Sequence, residues 1–157
     1  MGVNHRACSV VLLAAAVLGV FCGVGCGGGA PATPTETVRR FLAAMDRSAG
    51  DSRQLREAYD LLDTQAQNAL RERARKAETL TGRGFEPWEM MAQGRFRLRF
   101  APAMRRGMHE RVTGHGAVVV VVGDRGEKAE VPLVRESGRW RIRLSVPALE
   151  GLDAHSP

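Results

Sequence analysis

The sequence predicts an α+β domain with N-terminal helices packed on a curved antiparallel sheet. Two observations carry this. Apolar residues recur at helical spacing from Val38 to Ala77, and after Gly94 the period shortens to two. All helical patterns precede all strand patterns, which is the order of an α+β fold and not of alternating βα units. A chain of 157 residues, 44% hydrophobic, has room for one domain with its own core. Collagen-like, disordered and disulfide-scaffold classes are excluded by the same composition.

The first helix opens at Thr33-Pro34-Thr35-Glu36. Thr33 caps, Pro34 suits the first helical position, and Glu36 stands where a capping box places an acid. Val38, Phe41, Leu42 and Met45 then follow at i, i+3, i+4 and i+7. Ser48 to Ser52 break the helix. A second, short helix puts Leu55, Ala58, Tyr59 and Leu62 on one face. Asp63 or Thr64 caps a third, with a stripe of Ala66, Ala69, Leu70, Ala74 and Ala77, and Gly82 and Gly84 end it. Glu86 to Met91 add a helical turn in which Trp88 and Met91 serve as core plugs.

Strict alternation over Arg95-Phe96-Arg97-Leu98-Arg99-Phe100 predicts a half-buried strand, aromatic and leucine side chains on one face and arginines on the other. Met108 to Thr113 is a weaker strand. Ala117 to Val122 is an unbroken apolar run, expected of a central strand covered on both faces or at an interface. Gly123 to Gly126 turn the chain into two last strands, Val131 to Arg135 and Arg139 to Leu144. A two-residue loop at Ser137-Gly138 pairs Glu136 with Arg139, Leu133 with Ile142 and Val131 with Leu144. A three-residue loop would set Leu133 against Arg141, and a one-residue slip exchanges faces, so the shorter loop is expected. Pro132 removes a ladder donor and calls for a bulge or an edge position.

Residues before 33 are read as targeting and tether. Arg6 supplies a basic n-region, Val10 to Phe21 an apolar run, and Gly23-Val24-Gly25-Cys26 a small-residue end. This resembles a bacterial lipoprotein signal, in which Cys26 is lipidated and becomes the new N-terminus, although Gly23 stands where such signals usually carry Leu. The division expected is a signal over 1–25, a tether over 26–32, a domain over 33–150 and a disordered tail over 151–157. Removing the first 25 of 157 residues leaves 132, and loss of Arg6 takes the formal charge from +6 to +5. All three cysteines (Cys8, Cys22, Cys26) lie in that segment, so an acylated mature domain has neither a disulfide nor a catalytic thiol. The expected location is the bacterial cell envelope, with the domain outside the cytoplasm and held to a membrane by the lipid on Cys26.

The Val38-x-x-Phe41-Leu42 pattern, the valine run and the ending Glu136-x-Gly138-x-Trp140-x-Ile142 together resemble the cystatin-like, nuclear-transport-factor-two-like superfamily. The nearest members in pattern are small bacterial lipoproteins without an assigned role. The likeness covers residues 33 to 146. It implies a cone-like half-barrel with a pocket between sheet and helices, here assigned to Tyr59, Trp88, Phe96 and Trp140. Some relatives use that pocket as isomerases or dehydratases, and others use the sheet for homodimerisation or partner binding; fold does not choose among these.

Enzyme relatives place an acid or base beside a Tyr or His, for which the candidates here are Tyr59, Asp60, His109 and His115. Tyr59 reads as a core aromatic with a satisfied hydroxyl, Asp60 as solvent-facing and His115 as part of a turn. His109 and Glu110 point to opposite faces of their strand. No pair has a spacing that specifies chemistry, so no catalytic residue is assigned. Neither a metal motif nor a phosphate-loop or dinucleotide pattern is present, and no cofactor is expected. Two arginine rows remain, Arg95/Arg97/Arg99 and Arg139/Arg141/Arg143, in a chain where 21 of the 23 basic residues are arginine. They form a candidate basic face for an anionic envelope component or an acidic protein. Nucleic acid is not expected, because no aromatics interleave with the arginines. The reading is a membrane-tethered lipoprotein with a non-catalytic binding role; the alternative is a pocket enzyme of the isomerase or dehydratase kind.

Overall fold

A computed structural model describes residues 33–91, 98–103 and 107–147. Three helices precede a four-stranded antiparallel sheet, and the sheet is curved but not closed into a barrel. Helix α1 (Pro34–Arg47) starts where expected. Thr33 is extended, and its Oγ1 accepts the Glu36 amide at 3.1 Å. The buried side of α1 carries Val38, Phe41, Ala44 and Met45. Helix α2 (Ser52–Asp60) is capped by Asp51, and its Leu55, Ala58 and Tyr59 are buried. Asp63, not Thr64, caps α3 (Thr64–Thr81), and Gly82, at φ 68°, ends it in the left-handed region that glycine enters without penalty. A 3-10 helix (Pro87–Met91) follows. Its Met91 is fully buried, whereas Trp88 is only half-buried against the core.

Strands β1 (Met108–Thr113), β2 (Gly116–Val122), β3 (Lys128–Glu136) and β4 (Arg139–Ile142) lie in sequence order, each hydrogen-bonded to the next. The two-residue loop at Ser137-Gly138 holds, with Glu136 opposite Arg139 and Leu133 opposite Ile142. Both loop residues have positive φ, 48° and 78°, the geometry that matches the twist of a tight hairpin. Ala117, Val119, Val121, Leu133, Trp140 and Ile142 form the inner face of the sheet, against which α1 packs. Each of the valine, leucine and isoleucine side chains among them contributes about 1.5–3 kcal/mol through its burial.

The far edge of β4 is covered by the chain between α2 and α3. The Ile142 amide donates to the Leu61 carbonyl, and the Asp63 amide to the Ile142 carbonyl, both at 2.9 Å. Leu62 and Ile142 thus form a parallel bridge, which satisfies edge groups that would otherwise face solvent.

Four expectations need correction. Leu98 to Phe100 form a bend instead of a strand. A Cβ placed on Gly123 would lie 2.7 Å from Phe100 Cδ2, so the Phe100 ring sits where that residue lacks a side chain, and the chain turns to pair Pro102 with Gly123. Arg99 is therefore not in a strand row, while Arg95, Phe96 and Arg97 lie outside the described residues. The valine run is central but buried on one face only. Val118 and Val120 are half-buried on the other, where Arg111, His109, Pro132 and Glu130 stand directly opposite them. Strand β4 stops at Ile142, two residues early. The Arg143 amide donates to the Pro132 carbonyl, so Pro132 turns its nitrogen toward Arg143 as well and has no proton to return. No bulge is needed, because Pro132 sits where β4 has already ended. The signal, the tether and the 151–157 tail lie outside the described residues.

Candidate functional site

Helix α2 has a second face that its apolar spacing conceals. Arg53, Arg56, Glu57 and Asp60 recur at i, i+3, i+4 and i+7, opposite the buried stripe. Strand β4 alternates Arg139 and Arg141 outward against Trp140 and Ile142 inward. The Leu61–Asp63 link along β4 brings these two patterns together. Between them lies an open cleft of about 740 Å³, completed by Arg40 from α1 and Gln67 from α3, with Leu61 and Trp140 as its apolar portion.

Five arginines and two carboxylates line this cleft. Arg40 Nε donates to Glu57 Oε1 at 2.6 Å, tying α1 to α2 and engaging one carboxylate. The Arg141 guanidinium donates to the Asp60 carbonyl. That carbonyl belongs to the last turn of α2, where carbonyls lack intrahelical partners and the helix dipole is negative, so a cation is favoured there. The Arg56 guanidinium carbon lies 5.2 Å from the centre of the Trp88 ring, a cation–π contact that positions the group. Arg53 is exposed, its Nε 3.5 Å from Asp51 Oδ1. The Arg139 side chain is exposed and makes no hydrogen bond or ion pair among the described residues.

The expected pocket residues divide. Tyr59 and Trp88 meet edge-to-face with ring centres 6.2 Å apart. The Tyr59 hydroxyl reaches the Gln67 carbonyl at 3.4 Å, while Gln67 Nε2 donates to the Tyr59 carbonyl at 3.0 Å. Tyr59 thus belongs to the helical core, and it does not line the cleft that Asp60 lines. Trp140 does line it, and Arg135 lies 5.8 Å from its ring centre. Phe96 is outside the described residues. His109 and His115 are exposed, on β1 and in the β1–β2 turn. Glu110 points to the helical side, where it accepts from the Thr35 amide and hydroxyl at 2.9 and 2.7 Å.

Of the arginine rows, Arg139 and Arg141 reach the cleft. Arg143 lies beyond β4, 3.8 Å from Asp63 Oδ2, and Arg99 borders a separate hollow of about 230 Å³ with Asp124, Arg125 and Glu127. Sequence reasoning missed Arg40, Arg53, Arg56 and Glu57. The polar stripe on α2 was a readable signal for three of them; Arg40 had none. Among the described residues no group of three His, Cys, Asp or Glu is placed to hold a metal, and no helix is long and apolar enough to cross a membrane. No family model, curated protein or solved structure matches the chain.

Proposed function

We propose that the chain is a membrane-tethered envelope lipoprotein whose domain binds an anionic ligand or partner without catalysis. One observation carries the reading: two separately encoded arginine patterns, on α2 and β4, converge on one ligand-sized cleft. The acidic groups beside them are poorly arranged for proton transfer. Glu57 is paired with Arg40, and among the described residues the Asp60 carboxylate has no Tyr or His partner in the cleft. This favours binding over the isomerase or dehydratase alternative. The tether rests on Cys26 and the residues before it. The helix-then-sheet order agrees with the fold implied by the nuclear-transport-factor-two-like resemblance, which supports a binding role no more than a catalytic one.

Metabolic labelling with a radioactive fatty acid tests the tether. The chain should take up label and the Cys26→Ser variant should not; label retained by that variant would reject lipidation at this cysteine. Retention on an anionic matrix that disappears when the cleft arginines are neutralised tests the binding role.

A further inference from the structure

The cleft carries enough detail to name a ligand chemistry, resting on the binding role proposed above. Every cation lining it is arginine. A guanidinium offers up to five donors in a planar fork that fits phosphate or carboxylate oxygens in pairs, where an ammonium acts as a point charge. Five arginines against Glu57 and Asp60, with Asp51 beside Arg53, leave an excess of two positive charges, more than one monoanion can balance. The donors also approach from two sides. Arg53 and Arg56 stand on a helix, and Arg139 on a strand whose position is fixed through Leu61 and Ile142. Among the described residues the Arg139 side chain has no internal partner to give up, and the Arg56 side chain is held by Trp88 without a hydrogen bond of its own. A ligand with oxygens directed several ways satisfies such a site better than a flat carboxylate, and a phosphomonoester carries about −1.5 to −2 charges in a small volume.

We propose that this cleft is a receptor for a dianionic phosphate group, either a phosphomonoester or a pyrophosphate, held between Arg53 and Arg56 on α2 and Arg139 on β4. Leu61 and Trp140 offer an apolar surface beside it for the rest of the ligand. A lipid headgroup and a soluble phosphate compound share this chemistry.

The test is calorimetric titration of the full chain in neutral detergent at low salt. The probes are inorganic pyrophosphate, short-chain phosphatidic acid and citrate. The variants are Arg53→Gln with Arg139→Gln in the cleft, and Arg99→Gln with Arg125→Gln as a pair that removes the same charge elsewhere. The expected result is binding of a phosphate probe that weakens about tenfold in the cleft variant and stays within about twofold in the control. Tighter binding of phosphatidic acid than of pyrophosphate assigns the site to a lipid headgroup, and the reverse order to a soluble compound; either supports the proposal. Equal weakening in both variants, or no phosphate binding with the fold intact by circular dichroism, overturns it. Cleft-dependent binding of citrate alone overturns the phosphate assignment and leaves the binding role standing. Release of orthophosphate from pyrophosphate by the purified chain would instead reject the non-catalytic role while retaining the site.

Discussion

Arg40 on α1 and Glu57 on α2 form a 2.6 Å ion pair at the wall of the arginine-lined cleft, each side chain about one-third exposed, at 34% and 28%. The pair joins two helices and lowers the positive charge of the cleft. Its two roles separate in a substitution. Glu57→Gln should cost at most about 1 kcal/mol of stability, the range of partly exposed pairs. It should also tighten phosphate binding several-fold, because one compensating negative charge is gone. Thermal unfolding and calorimetry on the same preparation check the opposed signs, and weaker binding would contradict the charge argument.

Asp60 offers a second electrostatic check without an ion pair to break. Its carboxylate is exposed and lines the cleft, and the contact with Arg141 uses its backbone carbonyl. Asp60→Asn should leave stability within about 0.5 kcal/mol, as for a surface change away from special features. Anion affinity should rise about two- to fivefold at low salt and by less as salt screens the site.

Asp63 caps α3 by accepting the Ala66 amide at 3.0 Å, and it is only 3% exposed. Asp63→Ala removes the acceptor from a buried donor and should cost about 1–2 kcal/mol. Asp63→Asn keeps a capping oxygen and should lose less than half as much. Urea denaturation resolves the difference. Equal losses would mean that the charge facing Arg143, 3.8 Å away, matters more than the cap.

Ser137 holds φ 48° at the first position of the β3–β4 loop, where a side chain other than Asn or Asp is strained. Ser137→Asn should stabilise the domain by up to about 1 kcal/mol, part of the left-handed penalty that Asn relieves by hydrogen-bonding locally. Gly138→Val, at φ 78°, should destabilise it by more than that amount. A shift in the denaturant midpoint with unchanged slope is the expected readout.

Local rules carried far in this chain. Thr33, Gly82 and the Ser137-Gly138 loop are decided by residues within a few positions of each other, and all three stand as the sequence implies. The strand expected through Phe100 shows where such rules stop. Its alternation is as regular as that of β4, but its end bends where the Phe100 ring packs over Gly123, a residue further along the chain whose missing side chain leaves the room. The cleft was half legible for the same reason. Arg139 and Arg141 stood out in a period-two pattern, whereas the α2 stripe acquires meaning only because Leu62 bridges to Ile142. Tyr59 and Asp60, neighbours in sequence, face a core and a cleft respectively, as the 100° step of a helix requires.

The link between Leu62 and Ile142 also sets the range in the chain over which the cleft is closed. All three strand pairings join neighbours through short turns and close with little loss of chain entropy. The contacts that seat α2 against β4 span much more of the chain, 81 positions between Asp60 and Arg141, and such non-local closures slow folding. The arginine cleft therefore depends on a seam of long range in the chain. An anion that binds there engages the finished fold and not its precursors, so by mass action it would hold the seam closed.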